Sequence, residues 1–320
     1  MIDRYGRKIE YMRISITDRC NLRCRYCMPD GIEKVSMDRI LTYEDFLRIC
    51  RAAVNLGITR FKVTGGEPLV RLGCPEFISS LKKIPGVEQV TLTTNGIALE
   101  QYIDELADAG LDAVNVSLDT MDSDKFRYIT QCGDITAVMR GIEAAAEKGI
   151  RTKINCVPQK GFNDGEISDF AEFAFAKGID VRFIELMPVG SADSDTGVSN
   201  DYVLEVLKDI YPELEPDSSI HGNGPAVYYH IPGRAGGIGL ISAMHNVFCD
   251  KCNRLRLTSQ GLIKPCLAYA DVVDLRPVLS GTDEDIQNKL IEAIQMKPEK
   301  HCFNDDENNA ERRSMSQIGG

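Results

Sequence analysis

The sequence predicts an α/β fold: a partial, incomplete TIM-type parallel barrel of six βα units, with a C-terminal extension carrying a second cysteine group. Three observations support this. Short β-like runs alternate with amphipathic helical stretches from about residue 11 to 187. The helical stretches end just before Gly57, Gly110, Gly149 and Gly178, where glycine is the expected stop. Unusual polar residues recur at the carboxyl end of each strand candidate, where parallel barrels place their chemistry. Strand–helix units in series demand a parallel sheet, curled into a partial barrel or left open and doubly wound.

The strand candidates are residues 11–16, 60–64, 89–94, 113–118, 153–157 and 181–186. Thr42 with Glu44 and Asp45 starts the first helix as an N-cap followed by acids in the first turn. Composition shifts after Gly190, which divides the chain into a core at 1–190 and a C-terminal region at 191–320. In that region 191–197 is a polar loop, 199–210 a capped helix and 212–225 a connection rich in proline, glycine and serine. Residues 236–265 are β-rich, 282–296 a further helix, and 304–320 a polar tail with little to pack.

The 43% hydrophobic and 27% charged content is that of a soluble globular protein, and 320 residues can bury a large core. No run approaches eighteen apolar residues, so no membrane span is expected. The first residues lack the apolar stretch of a secretory signal, and eleven cysteines then point to a reducing cytoplasm. A net charge of −11 argues against general nucleic-acid binding. Any anionic ligand must be held by a few cations placed inside a pocket.

Cys20, Cys24 and Cys27 form a C-x₃-C-x₂-C run. Three thiolates without a fourth ligand make a poor zinc site, because structural zinc is almost always four-coordinate. They suit an iron–sulfur cluster with one iron left open to an outside ligand. A second group, Cys249-x₂-Cys252-x₁₃-Cys266, also has three cysteines. There His245, four residues before Cys249, could complete a Cys₃His zinc site, so zinc and a second open cluster both stand as readings.

The strand ends carry Gly65-Gly66-Glu67-Pro68, Thr93-Thr94-Asn95-Gly96, Ser117-Leu118-Asp119 and Glu185-Leu186-Met187-Pro188. The Gly65-Gly66 pair forms a tight turn or lets a backbone edge approach a ligand. Arg13, Lys62 and Lys153 sit on the first, second and fifth strand candidates, and Arg254 and Arg256 alternate so as to share one face of another. In an acidic protein these cations together suggest a pocket for a polyphosphate.

These residues together resemble the radical S-adenosylmethionine (SAM) superfamily and, more narrowly, its GTP 3′,8-cyclase family of molybdenum cofactor biosynthesis. The likeness runs over nearly the whole chain. It includes Asp3-Arg4-Tyr5-Gly6-Arg7, residues 15–24, Tyr26-Cys27-Met28-Pro29, Thr64-Gly65-Gly66-Glu67-Pro68, Arg182 through Pro188, Phe248 through Thr258 and the final Gly319-Gly320.

The resemblance implies that Cys20, Cys24 and Cys27 hold a SAM-cleaving 4Fe–4S cluster and Cys249, Cys252 and Cys266 a second 4Fe–4S cluster. It implies that Tyr26, Gly66, Ser117 and Met187 contact SAM. Arg13, Lys62, Thr93, Lys153, Arg254, Leu255 and Arg256 would contact GTP. Gly319 and Gly320 would serve catalysis from a tail reaching into the barrel mouth, with Arg312 and Arg313 upstream as helpers. Lys62 stands where most relatives carry Arg, and Ala268 where they carry Phe. The implied chemistry is SAM cleavage to a 5′-deoxyadenosyl radical, hydrogen abstraction from the ribose C3′ of GTP, and addition to guanine C8. The implied partners are an electron donor such as flavodoxin or ferredoxin and the next enzyme of the pathway, cyclic pyranopterin monophosphate synthase. A homodimer is compatible with the resemblance. Two competing readings are a peptide-maturing radical SAM enzyme and a non-enzymatic iron–sulfur or zinc scaffold.

Overall fold

The computed structural model describes residues 1–28, 31, 35–190, 192, 196–245, 248–303, 311 and 313–318. The catalytic Gly319 and Gly320 expected from the sequence, and Arg312, lie outside the described residues.

Six strands follow the sequence closely: β1 (Tyr11–Ser15), β2 (Arg60–Thr64), β3 (Gln89–Thr94), β4 (Ala113–Ser117), β5 (Arg151–Cys156) and β6 (Asp180–Ile184). Between them run α1 (Tyr43–Asn55), α2 (Cys74–Lys82), α3 (Leu99–Asp108), α4 (Ser123–Thr130), α5 (Ile135–Glu147) and α6 (Ile167–Lys177). Thr42 caps α1 through a reciprocal capping box with Asp45. The four glycine stops all take left-handed backbone.

The C-terminal region adds α7 (Asn200–Ile210), β7 (Glu215–Asp217), β8 (Val227–His230), β9 (Gly237–Ile241), β10 (Arg254–Leu257), β11 (Leu262–Lys264), β12 (Val273–Asp274) and α8 (Asp283–Gln295). All the described strands form one 12-stranded sheet in the order β12-β11-β10-β1-β2-β3-β4-β5-β6-β9-β8-β7. The run from β10 through β1–β6 to β9 is parallel throughout. The extension therefore contributes parallel strands to the barrel wall on both sides, where β1 and β6 would otherwise leave unpaired edges. The stretch 212–225, read as a connection, contains β7, which pairs antiparallel with β8.

Side-chain alternation explains where the core sits. Met12 and Ile14, Phe61 and Val63, Val90 and Leu92, Val114 and Val116, and Val181 and Phe183 point outward and are buried against the helices. Their neighbours in sequence line an internal cavity of about 510 Å³, within the size range of small-molecule sites. No described helix is long and apolar enough to cross a membrane.

Candidate active site

The first cysteine loop leaves β1 and is held by main-chain bonds from the turn after β2. Gly66 N donates to Thr17 O at 2.7 Å and Glu67 N to Arg19 O at 2.8 Å. A Cβ on Gly66 would meet Asp18 O at 2.6 Å. The close approach that requires glycine here is therefore to the cysteine loop itself, and Gly66 does not line the cavity. From the other side Arg23 N and Arg25 N donate to the carbonyls of Thr130 and Ile129 at the end of α4.

Buried carboxylates brace this loop. Glu67 accepts from Thr94 Oγ1 and Asn95 N, both at 2.7 Å, and burial pushes its carboxyl up to about 7. Asp119 accepts from Tyr26 Oη at 2.7 Å and Val157 N at 2.9 Å. Burial raises the thiols of this loop, with nearby acids adding to it: Asp119 acts on Cys24, while Cys27 stands at about 11. Cys20, Cys24 and Cys27 are free thiols within one another's electrostatic reach.

Cys249, Cys252 and Cys266 all line the cavity, whereas of the first loop Tyr26 lines it and Cys20, Cys24 and Cys27 do not. Two cations missed by the sequence reading hold the second group together. Arg7 pairs with Asp3 and donates to Cys249 O at 2.8 Å and Pro298 O at 2.7 Å. Lys297 Nζ donates to Arg254 O at 2.9 Å and Pro265 O at 2.8 Å. The Asp3–Arg7 stretch entered the sequence reading only as part of the family resemblance, with no role attached. Burial alone would raise the Cys252 thiol, but Arg254 and Lys297 beside it bring it down to about 6.

His245 does not complete a zinc site. Its Nδ1 faces Glu185 at 3.0 Å, its side chain is largely exposed, and it does not line the cavity. Among the described residues no three His, Cys, Asp or Glu side chains form the tight shell that one zinc ion needs, with bonds of about 2.3 Å to sulfur. A cubane cluster sits between its cysteines and takes wider spacing. Two sets of three free soft thiols fit such clusters.

Beside the second cysteine group the cavity wall is cationic. Arg13, Lys62, Lys153, Arg254 and Arg256 all line it, as the sequence predicted, together with Arg182, which it did not single out. Burial and the neighbouring cations Arg182 and Arg13 push the Lys62 ammonium well below its ordinary value, and burial and Arg13 do the same to Arg256. Such crowding calls for an anion. Arg13 Nε, Arg182 Nε, Thr93 Oγ1 and Asn155 Oδ1 are buried in this wall without a hydrogen-bond partner among the described residues. Lys153 is already engaged, with Asp180 at 2.5 Å, His221 O at 2.6 Å and Tyr228 Oη at 3.0 Å. Leu255 departs from the expected GTP set: it alternates to the outer face, is 0% exposed and does not line the cavity, so only its main chain can serve a ligand. Tyr26, Ser117 and Met187 line the mouth at the strand ends.

Residues 14–174 match the family model of the radical SAM superfamily, and residues 179–303 match that named Molybdenum Cofactor Synthesis C. The chain is 46% identical to the GTP 3′,8-cyclase of Alkaliphilus oremlandii and 42% identical to that of Clostridium perfringens, each over the full length of both chains. The chain belongs to the GTP 3′,8-cyclase family of the radical SAM superfamily. Its activity is the radical SAM cyclisation of GTP, an early step of molybdenum cofactor biosynthesis, and its cofactors are SAM and two 4Fe–4S clusters. Among solved structures, SuiB of Streptococcus suis bound to S-adenosylmethionine aligns with a TM-score of 0.59 at 18% identity, covering 82% of this chain and 61% of that one. The structure of anSMEcpe with bound AdoMet aligns with a TM-score of 0.59 at 15% identity, covering 92% and 79%. These two likenesses establish the fold alone.

Proposed function

We propose a residue-by-residue division of labour for the cyclisation, performed as a lyase. Cys20, Cys24 and Cys27 hold the cluster that serves SAM, and Cys249, Cys252 and Cys266 hold the second. When bound, the clusters supply the one-electron chemistry that splits SAM and lets ribose C3′ be joined to guanine C8. Tyr26, Ser117 and Met187 orient SAM, while Gly66 serves it indirectly by seating the cysteine loop. Arg13, Lys62, Lys153, Arg182, Arg254 and Arg256 bind the triphosphate, with Thr93 as a hydroxyl contact and Leu255 offering main-chain groups. The observation that supports this reading is one cavity whose buried cationic wall is shared by Cys249, Cys252 and Cys266 and by Tyr26 of the first cysteine loop. Held there, the ribose and base are kept from water and in near-attack geometry. Residues 1–190 make the SAM side and 191–320 the nucleotide-closing side, with Gly319 and Gly320 completing the tail. The reading extends to a cytoplasmic enzyme reduced by a flavodoxin or ferredoxin, its product passing to cyclic pyranopterin monophosphate synthase. A homodimer is compatible with it.

The test is anaerobic reconstitution with iron and sulfide, followed by incubation with SAM, a reductant and GTP. About eight irons per chain are expected, with one 5′-deoxyadenosine formed per cyclised nucleotide. About four irons, or SAM cleavage indifferent to GTP, would overturn the two-cluster assignment.

A further inference from the structure

At the strand starts the chamber is floored by the hairpin loop between β7 and β8. Residues 219–226 all line the cavity, and Gln89, Ala113 and Arg151, which begin β3, β4 and β5, line it beside them. This end lies opposite the mouth marked by Tyr26, Ser117 and Met187. Asn223 Nδ2 donates to Gln89 Oε1 and ties the loop to β3.

His221 is the node of this floor. Its Nε2 faces Asp217 Oδ2 at 2.7 Å and its Nδ1 faces Asp180 Oδ2 at 3.0 Å, so a carboxylate stands at each ring nitrogen. Ser219 Oγ also lies 3.1 Å from Nε2. The ring stacks on Tyr228, with centroids 3.9 Å apart and planes 8° from parallel. Gly237 leaves room for it, since a Cβ there would stand 3.2 Å from His221 Cε1.

The contacts of Lys153 all lead back to this residue. Its ammonium donates to Asp180 Oδ2 at 2.5 Å, to the His221 carbonyl at 2.6 Å and to Tyr228 Oη at 3.0 Å. The first partner is held by the His221 ring, the second is its own main chain, and the third lies against its face. An ammonium has three protons to donate, and these partners take all three. Burial presses the Lys153 charge below its ordinary range, and Asp180 works against that. Lys153 therefore meets an anion as a point charge fixed in place, its long stem already ordered. We propose that His221 is a positioning residue for Lys153: through Asp180, its own carbonyl and Tyr228 it fixes the charge that receives the triphosphate. The inference rests on the assignment of Lys153 to GTP.

The test uses the reconstituted holoenzyme and four variants. His221→Phe keeps a stacked ring and loses both nitrogens. Asp217→Asn loosens His221 from a position that does not line the cavity. The others are Lys153→Met and the double variant of His221→Phe with Lys153→Met. KM and kcat for GTP cyclisation are measured anaerobically at saturating SAM, and iron is counted per chain. His221→Phe should raise KM for GTP about tenfold with kcat within about twofold, the sign of lost binding common to ground and transition states. Asp217→Asn should raise KM less, and both should keep wild-type iron. In the Lys153→Met background His221→Phe should raise KM no further, because the two residues act as one unit. If His221→Phe fails to fold, Asp217→Asn decides the matter in both backgrounds. An unchanged KM in the folded His221 and Asp217 variants, or an equal rise with and without Lys153, overturns the positioning role alone. A Lys153→Met enzyme with wild-type KM overturns the placing of Lys153 at the triphosphate and the positioning role with it.

Discussion

The two cysteine groups present the same three soft thiols in opposite electrical settings. Around the first, Glu67 and Asp119 are buried at the strand ends, and its thiols are raised by burial and by those acids. Around the second, Arg254 and Lys297 crowd the sulfurs and draw Cys252 down to about 6 against its burial. The acidic surroundings suit a sulfonium cosubstrate and a strongly reducing cluster, while the basic surroundings suit a nucleotide polyanion. Under the proposed division of labour, one ligand type is given two jobs by its neighbours and not by its spacing.

The hardest test of that contrast is to remove one ligand from each side. Cys24→Ser should abolish SAM cleavage, whereas Cys252→Ser should leave cleavage uncoupled from GTP, measured as 5′-deoxyadenosine under strict anaerobiosis. Equal loss in both would erase the distinction. Gly66→Ala comes next: its Cβ has no room against the main chain of Asp18 and Arg19, so the first loop must shift. Iron per chain should fall from about eight to about four, with the second group still loaded. Retention of all the iron would show that the loop tolerates the displacement.

The electrical difference can be read in the metal-free protein. Near pH 7 Cys252, at about 6, is mainly thiolate, while Cys27, at about 11, is not. Iodoacetamide should label Cys252 about thirtyfold to a hundredfold faster, because lower nucleophilicity of the more acidic thiol offsets part of its greater thiolate fraction. Similar rates by peptide mass spectrometry would remove the proposed asymmetry. The smallest effect is expected in the cationic wall. Arg254→Ala or Arg256→Ala should each weaken GTP binding by about 1–3 kcal/mol and leave SAM binding unchanged in calorimetry. Equal losses for both ligands would assign these arginines to the fold.

Local chemistry made much of this legible before any coordinates. Strand–helix alternation with glycine stops located β1 to β6 to within two residues at either end, since parallel barrel strands carry their own apolar and polar alternation. Alternation also put Arg254 and Arg256 on one face. What escaped was set by distant contacts. β7 contains Pro216 and is only three residues long, so its strand state depends on pairing with β8. Arg182 read as one more charge in a strand, and only the curl of the sheet turns it inward beside Asn115. The Gly65-Gly66 turn was legible as a close approach, but what it approaches was not. Leu255 was carried along with its arginine neighbours although the pleat sends it the other way.

The sheet topology has a further consequence, in the order of events during synthesis. β10 pairs with β1, Tyr11 facing Arg254 and Arg13 facing Arg256, across more than two-thirds of the chain. Until the ribosome has made that last stretch, β1 has a bare outer edge, and so has β6 until β9 emerges. Contacts this remote are slow to form, and nascent parallel sheets with open edges are prone to aggregate. The nucleotide chamber therefore cannot exist on an unfinished polypeptide. Its closure marks the completion of the molecule, and a truncated translation product would keep Arg13, Lys62, Lys153 and Arg182 of the cationic wall but lack Arg254 and Arg256.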